Sequence, residues 1–243
     1  MMGFILRTAA MCLLLAGSAQ AADLASIDAD AMSWDLERIR KSIDAYESLP
    51  SDDADVLWRL IRAYYNYYDE ATERDRSKQE WAADQGYAMA ETALAKFPHK
   101  AEVVYYWATI GAAYAEVHRF KALFLLGDLI KALEEARRLI PAIEGGGPDR
   151  RLAFLYGMPW PLGNGDKEKA LWHMLEAVRF QPERASNRLA LAKTFADLKR
   201  YDEGWPHVQF MRAGNFWAAS EHWKKIYWRR TEEVAAEYPQ NRK

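Results

Sequence analysis

Apolar residues recur every three or four positions from about residue 33 to residue 238, and Gly or Pro residues mark the ends of the periodic stretches. This spacing places apolar side chains on one face of an α-helix. No stretch sustains the alternation of apolar and polar residues that is typical of a half-buried strand. The sequence therefore predicts an all-α protein.

The same pattern and its punctuation predict ten successive helices. Their approximate bounds are 34–48, 53–73, 75–97, 101–119, 121–140, 149–157, 167–181, 185–199, 202–213 and 217–237. Three of them end on a small residue followed five positions later by proline: Ala93 with Pro98, Ala136 with Pro141, and Ala177 with Pro182. Proline lacks the N–H that continues a helix and disfavours helical angles in the residue before it, so it is a stop signal with a physical basis.

Two consecutive helix pairs repeat one order of residue types. The stretch that begins at Gly165 to Ala170 and ends at Pro182 matches the second half of one repeat unit. The next unit carries Leu191, Ala192 and Phe195 and turns at residues 200–204. This order is that of the tetratricopeptide repeat (TPR), whose helix pairs bury their apolar faces only by stacking on one another. The sequence thus predicts a right-handed TPR-like superhelix of about four helix pairs with capping helices.

The chain divides into four predicted parts. These are a signal peptide at 1–21, an N-terminal capping helix segment at 22–52, a TPR-like repeat domain at 53–213 and a C-terminal capping helix at 214–243. The last helix has a broad apolar face, flanked by Trp217 and Trp228. Such a face fits a cap on the final repeat, which repeat arrays need, and it also fits docking into a second copy of the chain.

The first 21 residues have the layout of a secretory signal peptide: Arg7, an apolar run, and small residues that end at Ala21. The run is shorter than the ~20 apolar residues of a membrane helix, so we expect a soluble periplasmic protein. Residues 9–11 before Cys12 form a poor lipidation motif, so we expect no lipid anchor. Cleavage after Ala21 removes the one cysteine, which excludes disulfides and thiolate chemistry.

The charge pattern gives no indication of a polyanionic partner. The formal net charge is −2, it becomes −3 without Arg7, and acidic and basic residues are interspersed along the chain. Nucleic acid and anionic membranes attract one-sided basic surfaces, which this pattern does not produce. We therefore expect neither as a partner.

No known catalytic or metal-binding motif is found in the sequence. The five histidines occur singly, at spacings unlike those of zinc-binding helices. Neither a phosphate-binding Gly-rich loop followed by Lys and Ser or Thr, nor a Gly-x-Ser-x-Gly nucleophile motif, occurs. We expect a protein that is not an enzyme and that has no cofactor or metal.

Aromatic residues are the one compositional excess, with ten tryptophans and thirteen tyrosines. Most fit core positions of the repeats. Residues 64–68, however, place four tyrosines around the whole circumference of one helix, more than a single core stripe can hold. Some of these rings should face a groove or solvent, where aromatic side chains suit peptides or hydrophobic ligands.

Residues 56–209 resemble a group of exported bacterial TPR proteins related to the T component of TRAP transporters and, more distantly, to the eukaryotic regulators of microtubule dynamics. The similarity is carried by residues 57–65, by an insertion at 158–164 followed by Gly165 to Ala170, and by residues 187–192. TRAP T components are lipid-anchored periplasmic proteins that are thought to associate with a solute-binding subunit and to handle hydrophobic ligands. This chain departs from them in its poor lipidation motif.

These observations predict a periplasmic scaffold or assembly factor whose concave groove binds a segment of a partner protein. The residues expected to bind it are Tyr64, Tyr68, Tyr105, Tyr106, Trp160, Asn187, Arg188 and Lys193. The alternative is a TRAP-type accessory protein that holds a small hydrophobic ligand. An open polar and aromatic groove would favour the first function, and an enclosed apolar cavity the second.

Overall fold

The computed structural model describes residues 24–159 and 165–242, and these residues form an all-helical structure. The helices are α1 (24–31), α2 (Leu36–Glu47), α3 (Ala54–Glu70), α4 (Arg76–Lys96), α5 (Ala101–Val117), α6 (Arg119–Leu139), α7 (Gly147–Gly157), α8 (Lys167–Phe180), α9 (Ala185–Asp197), α10 (Tyr201–Arg212) and α11 (Glu221–Ala235), followed by a 3₁₀ turn at Pro239–Arg242. All ten predicted helices are confirmed, and α1 is an additional one. The signal peptide predicted at 1–21 lies outside the described residues.

Polar residues before several helices explain where those helices begin. The side chains of Asp35, Asp53, Asp75, Asp166 and Ser220 each accept a hydrogen bond from a backbone N–H in the first turn of the helix that follows. Such caps satisfy backbone donors that have no partner inside the helix.

The last helix starts four residues later than the sequence pattern predicts, at Glu221 rather than at 217. The segment before it is extended: the Trp217 N–H donates to the Glu183 carbonyl (2.8 Å), and the Ala185 N–H donates to the Trp217 carbonyl (2.9 Å). A backbone pairing with residues distant in sequence, which helical periodicity does not report, therefore delays α11.

The helices pack as a stacked array in which each helix contacts the next, from α2 to α11. The odd-numbered helices α3, α5, α7, α9 and α11 form an inner layer that surrounds a central groove. The even-numbered helices α4, α6, α8 and α10 pack behind them, although the start of α8 also reaches the groove. The chain thus has the helical repeat superhelix that the sequence predicts.

The final helix packs on α9 and α10 and also returns to the beginning of the array. The Ser220 hydroxyl donates to the buried Glu70 carboxylate (3.0 Å), and His222 Nε2 lies 2.9 Å from the Thr72 carbonyl. Arg229 forms an ion pair with Glu73 at 2.7 Å. These contacts join residues about 150 positions apart, so α11 closes one side of the central groove.

Within the described residues, none of the helices combines the length and the apolar composition needed to cross a membrane.

Candidate functional site

The central groove is a concave space with a volume of about 660 Å³. It combines charged, aromatic and apolar side chains from all five inner helices. Its polar and aromatic lining includes Trp34, Tyr65, Asn66, Asp69, Glu144, Arg150, Arg151, Arg184, Lys193, Asp197, Trp223, Tyr227, Arg230 and Glu233. A groove of this size and mixed chemistry suits a ligand that has both polar and apolar parts.

Four tyrosines that the sequence places in the groove lie in the core instead. The side chains of Tyr64, Tyr68, Tyr105 and Tyr106 are at most 5% exposed. Tyr106 stacks on Trp58 with ring centroids 5.7 Å apart, and its hydroxyl donates to Glu144 (2.8 Å). These rings fill the space between α3 and its neighbours, which corrects the expectation that they present open faces to a partner.

The excess of aromatics around α3 is therefore absorbed on several sides of the helix. Trp81 of α4 packs against both Tyr64 and Tyr67, with ring centroids about 5.5 Å apart. Tyr65 alone among the four tyrosines at 64–68 lines the groove. A helix in the middle of an array has neighbours on more than one face, so it buries more than one apolar stripe.

The predicted residues of α9 lie in three different environments. Asn187 is fully buried, which corrects its predicted place on the groove surface. Its amide donates to the Ala177 carbonyl (2.9 Å) at the end of α8. Arg188 turns toward α10, where its guanidinium lies 2.9 Å from His207 Nδ1. Lys193 does line the groove, in an ion pair with Asp197 at 2.5 Å.

The eighth predicted residue, Trp160, lies outside the described residues, as does most of the insertion at 158–164.

The sequence prediction missed an arginine cluster at one end of the groove. We use the term arginine cluster for Arg150 and Arg151 of α7 and Arg184 before α9. Arg150 donates to the Glu144 carbonyl (3.2 Å) and to Asn187 Oδ1 (3.1 Å). Arg184 donates to the same Glu144 carbonyl (3.1 Å). Two guanidinium groups therefore meet at one neutral oxygen.

The third member, Arg151, contacts α3. Its guanidinium lies over the Tyr65 ring, 4.5 Å from the ring centroid. The Tyr65 hydroxyl donates in turn to Asp69 (3.3 Å). The Nε of Arg151 is buried and has no hydrogen-bond partner among the described residues.

Burial changes the acid–base properties of this region. Removal from water, followed by the nearby charge of Arg184, lowers the pKa of Arg150 to about 10. Removal from water raises the pKa of Asp69 to about 6, although Arg151 opposes that shift. Asp69, Arg150 and Arg151 are only partly exposed, so a bound group of opposite charge would interact with them more strongly than it would in water.

One signal in the sequence could have identified the cluster. Arg150 and Arg151 are adjacent in a short helix that is otherwise largely apolar, between Gly147 and Gly157. Two adjacent cations in such a helix therefore mark a candidate polar site. Arg184 carries no comparable signal, because the fold alone brings it to Glu144.

A second, apolar pocket of about 350 Å³ lies between α5, α6 and α7. It shares Ala112, Phe154, Leu155 and Met158 with the groove, so the two spaces adjoin each other. Its other lining residues are Ala115, Glu116, Ala122, Leu126 and Leu129. The charged groove therefore has an apolar pocket beside it.

A buried Asp–His pair lies away from the groove, between α7 and α8. Asp149 and His173 are both about 1% exposed, and His173 Nδ1 lies 2.8 Å from the Asp149 carboxylate. Arg137 of α6 donates to the same carboxylate (2.8 Å). Because the pair is enclosed and joins three helices, its evident role is to fix their packing.

Across the described residues, no group of three or more His, Cys, Asp and Glu side chains is arranged to hold a metal ion.

Comparison with known proteins gives one family similarity. Residues 24–142 match the family model described as Regulator of microtubule dynamics protein 1-3, a family of helical repeat type. The match covers α1 to α6, just under half of the chain, and it ends before the arginine cluster. No curated protein matches the chain.

Proposed function

We propose that this protein is a non-enzymatic binding protein whose central groove holds an extended segment of a partner protein, as a scaffold or assembly factor. The observation that carries the proposal is the mixed lining of the groove. The lining includes the aromatic side chains of Tyr65, Trp223 and Tyr227 together with charges of both signs. Peptide segments present the same mixture, and aromatic and arginine side chains dominate the energetics of such interfaces.

The proposal includes TPR-type repeats and export to the periplasm. The residue order at 165–204 supports the first, and the signal-peptide pattern at 1–21 supports the second. The name of the matching family refers to microtubule dynamics, but most charged groove residues lie beyond the matched range. Fractionation of bacteria that produce the chain tests export, because a mature protein in the periplasmic fraction should begin at Ala22.

Photo-crosslinking from single positions tests the binding of a partner segment. A photoreactive amino acid at Thr194, in the groove, should capture one protein at a fixed ratio. The same group at Thr92, which is exposed on the outer helix α4, should not capture it. Mass spectrometry of the crosslinked peptide then identifies the bound segment. Equal capture from both positions, or capture from Thr92 alone, contradicts the proposal.

A second candidate function, carriage of a small hydrophobic ligand, is favoured by the apolar pocket. The neighbouring surface of α6 also exposes Phe120 and Phe124, at 87% and 84%. Native mass spectrometry of the purified protein separates the two functions. A bound small molecule without any crosslinked partner supports carriage, whereas a bound protein without a small molecule supports the scaffold.

A further inference from the structure

The charged lining of the groove carries an excess of positive charge. It contains six cationic side chains and four carboxylates, whereas the whole chain has a formal net charge of −2. Two of the cations are matched by carboxylates outside the lining, since Lys193 pairs with Glu237 (3.2 Å) and Arg230 pairs with Glu73 (3.0 Å). These two pairs offset the excess over the groove as a whole, and a local excess of positive charge remains at the arginine cluster.

At the cluster itself, three arginines face two carboxylates, Asp69 and Glu144. Arg184 is 3.9 Å from the Glu144 carboxylate. Among the described residues, no carboxylate lies within ion-pair distance of Arg150, whose guanidinium contacts only carbonyl and amide oxygens. One positive charge is left over among side chains that are only partly exposed, and such a charge is stabilised when an anion joins it.

The size of this excess indicates the charge of a ligand that would fit the cluster. One carboxylate group carries a single negative charge and accepts paired hydrogen bonds from a guanidinium in one plane. It would neutralise the cluster. A phosphate monoester carries close to two negative charges near neutral pH and would exceed the excess.

The surroundings indicate what the carboxylate is attached to. Leu155 follows Arg151 by four residues on α7, a rise of about 6 Å along the helix axis. Phe154, Leu155 and Met158 lead from the cluster into the apolar pocket. A ligand with a carboxylate at one end and an apolar chain at the other would satisfy both regions at once.

We infer that the arginine cluster and the adjoining apolar pocket form a binding site for a single carboxylate carried on an apolar chain. The inference rests on the proposed function in one respect, namely that the groove is a ligand site. A free amphipathic acid and the carboxyl terminus of a bound protein segment present the same chemistry.

Calorimetric titration with octanoate and with its neutral analogue octanamide tests the site. We expect octanoate to bind saturably at one site per chain, and octanamide to bind at least tenfold more weakly. Arg184→Gln should weaken octanoate binding about tenfold and leave octanamide binding unchanged. Arg138→Gln, which removes an exposed arginine paired with Glu135, should change neither affinity more than twofold.

Equal affinity for the acid and the amide overturns the inference, as does undiminished octanoate binding by a folded Arg184→Gln protein. Circular dichroism establishes whether each variant is folded. If Arg184→Gln does not fold, Arg150→Lys provides the same test, because it keeps the charge but removes the planar donor pair of arginine.

The carboxylate could come from a free amphipathic acid or from the carboxyl terminus of a protein segment. Titration with two forms of one apolar peptide, with a free and with an amidated carboxyl terminus, distinguishes these sources. Preference for the free terminus supports the inference with a protein segment as the source. Binding of octanoate without binding of either peptide supports it with a free acid as the source and contradicts the partner-segment proposal. Equal binding of both peptides without binding of octanoate overturns the inference and leaves that proposal standing.

Discussion

Two titratable side chains in this protein are held in environments that oppose their charged forms. Asp69 lies on the floor of the groove beside Tyr65, and His207 lies between α9 and α10 beside Arg188. Burial acts on them in opposite directions, because it raises the pKa of an acid and lowers that of a base. The two residues should therefore give stability opposite dependences on pH.

Asp69 should make the protein less stable as the pH rises. Its pKa is raised to about 6, so the folded protein binds the proton more tightly than the unfolded chain does. The resulting stability is fully present below about pH 4 and is lost as the pH rises through about 6. We expect Asp69→Asn to gain roughly 1 to 3 kcal/mol relative to the natural protein between pH 4.5 and 7.5.

Urea unfolding across this range measures the effect of Asp69→Asn. The variant Asp52→Asn, at an exposed position, is the matched control and should follow the natural protein. Parallel profiles for the natural protein and Asp69→Asn would show that the acid is not desolvated.

His207 should make the protein less stable as the pH falls. Burial, followed by the charge of Arg188, lowers its pKa to about 4. Its contribution to stability is present above about pH 6.5 and is lost as the pH falls toward 4. In NMR titrations we expect the His207 ring to remain neutral at pH 5.5.

The same property can be measured through stability. Between pH 6.5 and 4, the unfolding free energy of the natural protein should fall by roughly 1 to 3 kcal/mol more than that of the His207→Gln variant. His99→Gln, at an exposed position, should leave that loss unchanged. A His207 ring that is protonated at pH 5.5 would contradict the prediction.

At the scale of elements, the closeness of the helices depends on small residues at their crossings. A Cβ atom at Gly86 of α4 would lie 2.8 Å from the Tyr64 Cβ atom and 2.9 Å from Ile110. Helices α3, α4 and α5 therefore meet at a point where no side chain fits. By contrast, a Cβ atom at Gly127 of α6 would meet nothing within 4 Å.

These two glycines provide a matched pair of substitutions. Gly86→Ala should destabilise the protein by about 1 to 3 kcal/mol, because the tight contact with Tyr64 and Ile110 must open. Gly127→Ala should be neutral or stabilise by up to about 1 kcal/mol, because alanine favours the helix and has space. Thermal unfolding measures both. A stabilising Gly86→Ala would mean that α4 shifts freely on its neighbours.

At the scale of the whole molecule, α11 turns an open stack of helices into a groove that is closed on one side. Ser220 has two roles in this closure. Its side chain caps α11 by accepting from the Trp223 N–H (3.2 Å), and its hydroxyl donates to Glu70. Burial raises the pKa of Glu70, so the loss of this donor would leave a poorly solvated acid with Arg74 as its main partner.

Ser220→Ala should therefore loosen α11 more than the rest of the array. We expect a loss of about 1 to 2 kcal/mol and faster hydrogen exchange across Glu221–Ala235, with little change in α4 and α5. Ser51→Ala, at an exposed position, serves as the control. Unchanged exchange in α11 would show that its packing on α9 and α10 suffices to hold it.

The sequence by itself determined the class of the fold and the position of nearly every helix. The reason is that helical periodicity, capping residues and proline stops are local, and they act over a few neighbouring residues. The same local signals indicated stacked pairs, since repeats that expose an apolar face must bury it on one another.

Only the tertiary structure decided which side chains face the groove. Tyr64 and Tyr65 are adjacent in sequence, yet one is buried against Trp81 and the other lines the groove. Asn187 satisfies carbonyls at the end of α8 instead of facing a ligand. The arginine cluster unites residues 34 positions apart through one carbonyl oxygen. Burial and charge pairing depend on neighbours from distant helices, which a local pattern does not contain.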